Sequence, residues 1–336
     1  MSDFRIVRGF EDVWRPPVRR SVRPETVLHP IARTDVRSRL WRIARRVPEV
    51  MVKITGRTRD PEHLRAHLSY ITRNGGLAAE GRDGWSIEGR GEVMELARDW
   101  ATSSLCDPRR RASTALSIGI ILSMPAGTDA LRLCDAVRAF AAGTFADRFD
   151  YLFVLHTDVG HPHVHLTVKA QGDLGERLNP KKADLEAWRQ NFAQALRDHG
   201  VEAEATPRRA RGVTRKAERG PLRRMRERAA QGRGAMPEVR RQAYREAAQA
   251  AFGRDDAARA WENRTAARQA QVRALYLAQA RLLQSSAAAE DRRLGDAVEA
   301  FVRNLAPPDT LRLALARELR AASRSPVPSR EKDRRR

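Results

Sequence analysis

Between residues 50 and about 206 the chain alternates short β-branched and aliphatic runs with longer segments whose apolar positions recur every three or four residues. Met51-Val52-Lys53-Ile54-Thr55 alternates with period two and predicts a strand. Asp60-Pro61-Glu62 then predicts a helix start, with Asp as the cap and Pro at the first position. Leu64, Leu68 and Ile71 give that helix its apolar stripe, and Asn74-Gly75-Gly76 ends it. Positions 85–90 read as a hairpin or loop, and 93–103 as a helix with Met94, Ala97 and Trp100 or Ala101 on one face. A strong strand follows at 116–122, broken by Ser123-Met124-Pro125-Ala126-Gly127-Thr128, and a helix runs from 129 to about 145. Two strands in near-hairpin succession, 151–156 and 163–170, precede a helix at 184–199 and a short extended piece at 201–205. The pattern predicts an α+β fold, an antiparallel sheet with flanking helices in two or three layers.

The flanks differ from this centre. Pro16, Pro17, Pro24, Pro30 and Pro48 punctuate residues 1–49, which read as a basic, weakly ordered arm with one short amphipathic helix near 36–46. The folded domain is taken as 50–215. Residues 216–324 are rich in Ala, Arg, Glu and Gln at helical spacing, which predicts an all-α basic region, and 325–336 read as a disordered basic tail.

Charge narrows the function. The chain has 336 residues, a formal net charge of +22 and a pI near 11.3. An excess of this size points to a polyanionic partner, nucleic acid above all, against the alternative of an Arg-rich compositional bias. Cys106 and Cys134 are the only cysteines, which excludes a disulfide framework or a Cys-rich zinc module. Residues 1–10 carry charges without a long apolar run, and no segment approaches the ~20 apolar residues of a membrane span. The expectation is a cytoplasmic protein without membrane insertion.

Four of the eight histidines fall in His156-Thr-Asp158-Val-Gly-His161-Pro-His163-Val-His165. His163 and His165 are two apart on a strand and share a face, while Val164 and Leu166 face a core. Antiparallel pairing brings His156 beside them. Three neutral imidazoles suit one divalent ion and leave open positions for substrate oxygens. A His-rich surface turn is the alternative. Asp158 can orient a ligand imidazole or accept a proton. His161 lies in the turn and is a candidate DNA contact.

A metal beside a phosphodiester needs an attacking oxygen. The tyrosines are Tyr70, Tyr151, Tyr244 and Tyr276. Tyr151 starts an apolar strand, and the last two lie in the helical region. Tyr70 sits near a helix end, with Arg73 three positions on as a phosphate partner. Tyr244 and Tyr276 stay open as alternatives.

Taken in order, Leu68-Ser-Tyr70-Ile-Thr-Arg73-Asn-Gly, Ile121-Leu-Ser123-Met-Pro-Ala-Gly127 and His156-Thr-Asp158 with His163-Val-His165 resemble the motifs of the relaxase/mobilisation nuclease family, P-type mobilisation class. The resemblance covers roughly 50–215 and implies a fold of the His-hydrophobe-His endonuclease type. It implies Tyr70 as nucleophile, Asp158 as supporting carboxylate, His156, His163 and His165 as ligands of one Mg, Mn or Zn ion, and Ser123 near the nick. Lys53, Arg57, Arg73, His161, Lys169, Lys181 and Arg208 are the remaining expected DNA contacts. The implied activity is nicking of one strand at a transfer origin of a plasmid or integrative element, with a 5′-phosphotyrosyl adduct. Implied partners are single-stranded DNA, an accessory DNA-binding protein and a secretion-channel coupling protein. His161-Pro162 in the turn and the long basic extension before the domain depart from many relatives. A rolling-circle replication initiator, in which the tyrosine follows the histidines, a non-catalytic nucleic-acid-binding protein with a structural His cluster, and a water-activating hydrolase are the competing readings.

Overall fold

The computed structural model describes residues 4–14, 36–215, 218–253 and 259–324. The Pro-rich part of the expected arm at 15–35 and the expected tail at 325–336 lie outside the described residues. The chain divides into two compact units, Arg15–Thr206 and Met1–Trp14 together with Pro207–Arg336.

The first unit contains β1 (Met51–Thr58), α2 (Pro61–Ile71), β2 (Ala79–Gly81), β3 (Ser86–Ile87), α3 (Gly89–Leu105), β4 (Ser117–Ser123), α4 (Ala130–Phe145), β5 (Tyr151–His156), β6 (His163–Lys169) and α5 (Lys182–Asp198), preceded by α1 (Val36–Ala44). The strands form one antiparallel sheet in the order β1-β4-β6-β5-β2-β3. Helix α2 starts where the sequence predicts: the Asp60 carboxylate accepts from the His63 amide at 2.7 Å. The Asp129 carboxylate likewise caps α4, accepting from the Leu131 and Arg132 amides.

Strand alternation sends two residue sets to opposite faces. Val52, Ile118, Ile120, Leu122, Phe153, Val164, Leu166 and Val168 pack with Phe140 and Phe145 of α4 and Trp188 and Phe192 of α5. Leu152 and Val154 face the other way, into a second core with Leu64, Leu68 and Ile71 of α2 and Trp100 of α3. The sandwich therefore has three layers. The second layer of helices matters for chemistry, because α2 lies on the face that carries the histidines.

Helix α1 is the amphipathic segment expected near 36–46. It buries Leu40 and Ile43, and Arg42 Nε contacts Glu204 at 2.6 Å. Glu49 receives the Thr206 amide at 2.8 Å, so 36–50 is stitched to the end of the same unit.

The second unit is helical among its described residues: α6 (Gly220–Ala230), α7 (Glu238–Phe252), α8 (Ala260–Gln284), α9 (Ala289–Arg303) and α10 (Leu311–Arg324). Residues 4–14, read in the sequence as part of the arm, pack here. Phe10 meets Trp14 and Tyr276 edge-on, with ring centroids 5.1 and 5.3 Å apart, and the Trp14 indole donates to the Tyr276 hydroxyl at 3.3 Å. Two large aromatics of a polar segment find the α8 core, which no local periodicity signals.

Candidate metal and nucleophile site

The register of β5 on β6 builds the cluster. His156 pairs with His163, and Val154 pairs with His165. The His156 ring centroid lies 5.2 Å from that of His163 and 4.6 Å from that of His165, and the His163 and His165 rings are 5.2 Å apart. One nitrogen from each ring lies within 4.8 Å of the other two, a set able to hold a metal ion.

Tautomers follow from the neighbours. His156 is buried, 2% exposed, and its Nε2 lies 2.6 Å from the Ile71 carbonyl oxygen. A carbonyl only accepts, so Nε2 carries the proton and Nδ1 keeps its lone pair. Ile71 ends α2, where carbonyls lack helical partners, so one bond satisfies the helix terminus and orients the imidazole. His163 Nδ1 lies 3.4 Å from the His161 carbonyl, which leaves Nε2 free. Desolvation, reinforced by His156 and His163, pushes the His165 pKa down to about 4. Desolvation lowers that of His163 as well. Three imidazoles that each direct one nitrogen to a common point fit a divalent cation.

Tyr70 stands on the last turn of α2, 62% exposed, with its ring edge-on to His165 at a centroid distance of 6.4 Å. The chain then reverses through three left-handed residues, Arg73 (φ +54°), Asn74 (φ +59°) and Gly75 (φ +84°). At Gly75 a Cβ would lie 2.3 Å from the Gly89 carbonyl carbon, so only glycine lets the reversal close against the start of α3. The reversal sends the Arg73 guanidinium to 5.7 Å from the Tyr70 ring centroid and into an ion pair with Asp158. Asp158 Oδ1 lies 4.0 Å from His156 Nδ1. Although desolvation acts to raise the Asp158 pKa, the Arg73 charge and hydrogen bonds hold it below the ordinary carboxylate value.

The other expected residues are spread over both units, with Ser123 directly opposite His163 on the neighbouring strand. Ser123 is buried, and its hydroxyl donates toward the Pro162 carbonyl at 3.2 Å, which ties β4 to the histidine turn rather than offering a hydroxyl to solvent. His161 is exposed in that turn, and Lys53 is exposed on β1 opposite Ile121. Arg57 is exposed beyond the bulge that follows Ile54. Lys169 closes the far end of β6, with Nζ 3.7 Å from Asp150. Lys181 is exposed ahead of α5. Arg208 belongs to the helical unit, as do Tyr244, which is exposed, and Tyr276, which is fully buried. Tyr151 is buried in the core on the opposite sheet face. Of the tyrosines in the first unit, Tyr70 is therefore the one beside the histidines.

Residues 70–201 match the family model of relaxases described as MobA/VirD2-like, nuclease domain. Over this segment the chain is similar to the relaxase/mobilisation nuclease family. The chain is similar to the T-DNA border endonuclease VirD2 of Rhizobium radiobacter, 29% identical over 187 residues, which is 49% of this chain and 43% of that protein. The VirD2 of Agrobacterium fabrum is 30% identical over 186 residues, 49% of this chain and 41% of that protein. The matched region thus spans under half the length of these curated relatives. A solved structure from work on vancomycin-resistance transfer in Staphylococcus aureus superposes with a TM-score of 0.34 at 12% identity, covering 48% of this chain and 98% of that one. A superposition that loose carries nothing about activity.

Proposed function

We propose that the chain is a metal-dependent DNA relaxase that nicks one strand at a transfer origin and keeps that strand on Tyr70. The observation that carries the reading is the exposed Tyr70 ring against His165, at the edge of a triad of converging imidazoles. His156 through Nδ1, His163 through Nε2 and His165 would hold one divalent ion of the Mg, Mn or Zn group. The ion would supply Lewis-acid polarisation of the scissile phosphate.

The chain's own residues do the rest. The Tyr70 hydroxyl oxygen attacks phosphorus, the bond from phosphorus to the 3′ oxygen breaks, and the products are a 5′-phosphotyrosyl end and a free 3′ hydroxyl. An ordinary phenol has a pKa of about 10 and must lose its proton on attack. Asp158 or water takes it. With its pKa held low by Arg73, the Asp158 carboxylate serves better to steer Arg73. Arg73, beside the Tyr70 ring, is placed to neutralise a phosphate oxygen. Phenoxide is a good leaving group, so the same centre can rejoin the strand.

The helical unit is read as a partner-binding extension. Residues 207–336 hold 32 Lys and Arg against 15 Asp and Glu, so most of the net charge resides there. Helix α6 buries no residue and carries Arg223, Arg224, Arg226 and Arg228. We assign it contact with DNA phosphates, and leave to other surfaces of the unit an accessory protein or a secretion-channel coupling protein. Among the described residues no helix is long and apolar enough to cross a membrane. Action on DNA in the cytoplasm is the setting proposed.

The test is denaturing electrophoresis after incubation with labelled single-stranded origin DNA and Mn²⁺ or Mg²⁺. A slow-migrating adduct is expected from the native protein and none from Tyr70→Phe. An adduct mapped to Tyr151, Tyr244 or Tyr276 refutes the assignment, and cleavage without any adduct favours a water-activating hydrolase.

A further inference from the structure

We propose that His67 is a positioning residue that sets Tyr70 against the histidine triad by locking α2 onto β6 through Thr167. The inference rests on Tyr70 being the nucleophile.

His67 is the polar exception on the inner side of α2, whose other inward residues are Leu64, Leu68 and Ile71. Its Nε2 lies 3.0 Å from the hydroxyl of the fully buried Thr167. The sheet makes room for the ring. At Gly119, which pairs with Thr167 across β4 and β6, an added Cβ would stand 3.2 Å from both Cε1 and Nε2 of His67 and 2.9 Å from the Thr55 hydroxyl. A side chain on β4 at this point would displace the imidazole.

The spacing links this slot to the chemistry. Thr167 and His165 are two apart on β6 and project from one face, while His67 and Tyr70 are three apart on α2 and share one side of the helix. The His67–Thr167 hydrogen bond and the Tyr70–His165 ring contact are thus successive rungs between one helix and one strand. The Ile71 carbonyl on His156 is a third. Apolar contacts hold the helix down but are non-directional, and they tolerate a slide or a small roll. Hydrogen bonds at both ends of the Tyr70 turn remove that freedom. Displacement of an attacking group by about 1 Å can cost on the order of 10²-fold in rate. His67 touches neither DNA nor the triad in this scheme; it acts through the placement of Tyr70.

The test compares His67→Leu, His67→Gln and Thr167→Val in the full chain. The leucine and valine variants should form the Tyr70 adduct about 10- to 100-fold more slowly at saturating DNA. Their affinity for single-stranded DNA and for Mn²⁺ should stay within about twofold of native, so the loss appears in kcat and not in KM. Glutamine keeps a group able to bond the Thr167 hydroxyl and should recover most of the rate. A second readout needs no turnover. With 3-fluorotyrosine at the four tyrosines, and Tyr70→Phe for assignment, Mn²⁺ should broaden the Tyr70 fluorine signal in the native protein and clearly less in His67→Leu. A leucine variant with native adduct rate and native broadening overturns the proposal, as does an equal loss in the glutamine and leucine variants. If the leucine variant fails to fold, Thr167→Val and Gly119→Ala decide, since both disturb the same slot, and native kinetics in both overturn it. A native protein that forms no Tyr70 adduct refutes the nucleophile reading instead, and the broadening comparison then judges the positioning by itself.

Discussion

The ligand assignment makes a graded prediction about three substitutions. His163 is half-buried and its Nδ1 bond to the His161 carbonyl is long at 3.4 Å, so His163→Ala should cost the metal-free protein less than about 1 kcal/mol. His156 is buried and donates to Ile71 at 2.6 Å. His156→Ala strands that carbonyl at a helix end and opens a void, which costs about 1–3 kcal/mol for the polar group alone. His156→Gln can restore a donor to Ile71 and should regain part of this stability, without restoring the Nδ1 ligand. A divalent ion at a hundredfold excess over its Kd stabilises a folded site by ~2.7 kcal/mol. For a unit of this size each kcal/mol moves Tm by about 2–4 °C, so the native protein should gain roughly 5–10 °C on adding metal. The alanine and glutamine variants should gain little, while Tyr70→Phe should gain the full amount. Differential scanning calorimetry with and without Mn²⁺ reads both effects. A full metal-induced shift in His163→Ala would refute the triad, and a metal-free His156→Ala as stable as native would refute the role given to the Ile71 carbonyl.

Acid should destabilise the metal-free nuclease unit in a defined window. With the folded pKa of His165 lowered to about 4 from 6.5, the unfolded chain takes up the proton first, so stability falls as pH drops below about 6.5 and levels off below about 4; His165→Ala should flatten that slope in a pH series of melting curves. Arg73→Ala breaks an ion pair whose side chains are 44% and 52% exposed, which should change stability by at most about 1 kcal/mol, yet cut the adduct rate at least tenfold; loss of both in proportion would mean that the pair is merely structural. In the helical unit the Glu262–Arg312 pair, 0% and 7% exposed and 2.5 Å apart, is a different case. Arg312→Ala should destabilise that unit by about 3–5 kcal/mol while leaving single-strand nicking intact, visible as one shifted calorimetric transition. Arg224→Glu with Arg228→Glu on α6 should lower the log K against log salt slope for single-stranded DNA by about 1.4, at ~0.7 per phosphate lost; an unchanged slope would remove α6 from the interface.

Local patterns were enough for most elements of the sandwich and for the composition of the site. Asp60-Pro61 and Asp129 are caps whose bonds reach only two or three residues ahead, so the starts of α2 and α4 are legible in the chain. The period-two spacing of His163 and His165 puts both on one face whatever the rest of the fold does, and Val164 and Leu166 are buried as their alternation requires. Other relations span 39 to 266 residues and have no local signature. The Ile71 carbonyl selects the His156 tautomer, Arg73 reaches Asp158 because three successive left-handed residues turn the chain, and His67 finds Thr167 over the space left by Gly119. Ser123 turned inward because the antiparallel pairing set it beside Pro162, and residues 4–14 joined the helical unit because Phe10 and Trp14 bury against Tyr276. By itself the sequence determined which groups could do chemistry, since ligand type and strand or helix period are local properties. Which nitrogen is free, which tyrosine stands beside the histidines and what holds it there were decided by tertiary packing, because they depend on directional contacts between segments that the chain only brings together on folding.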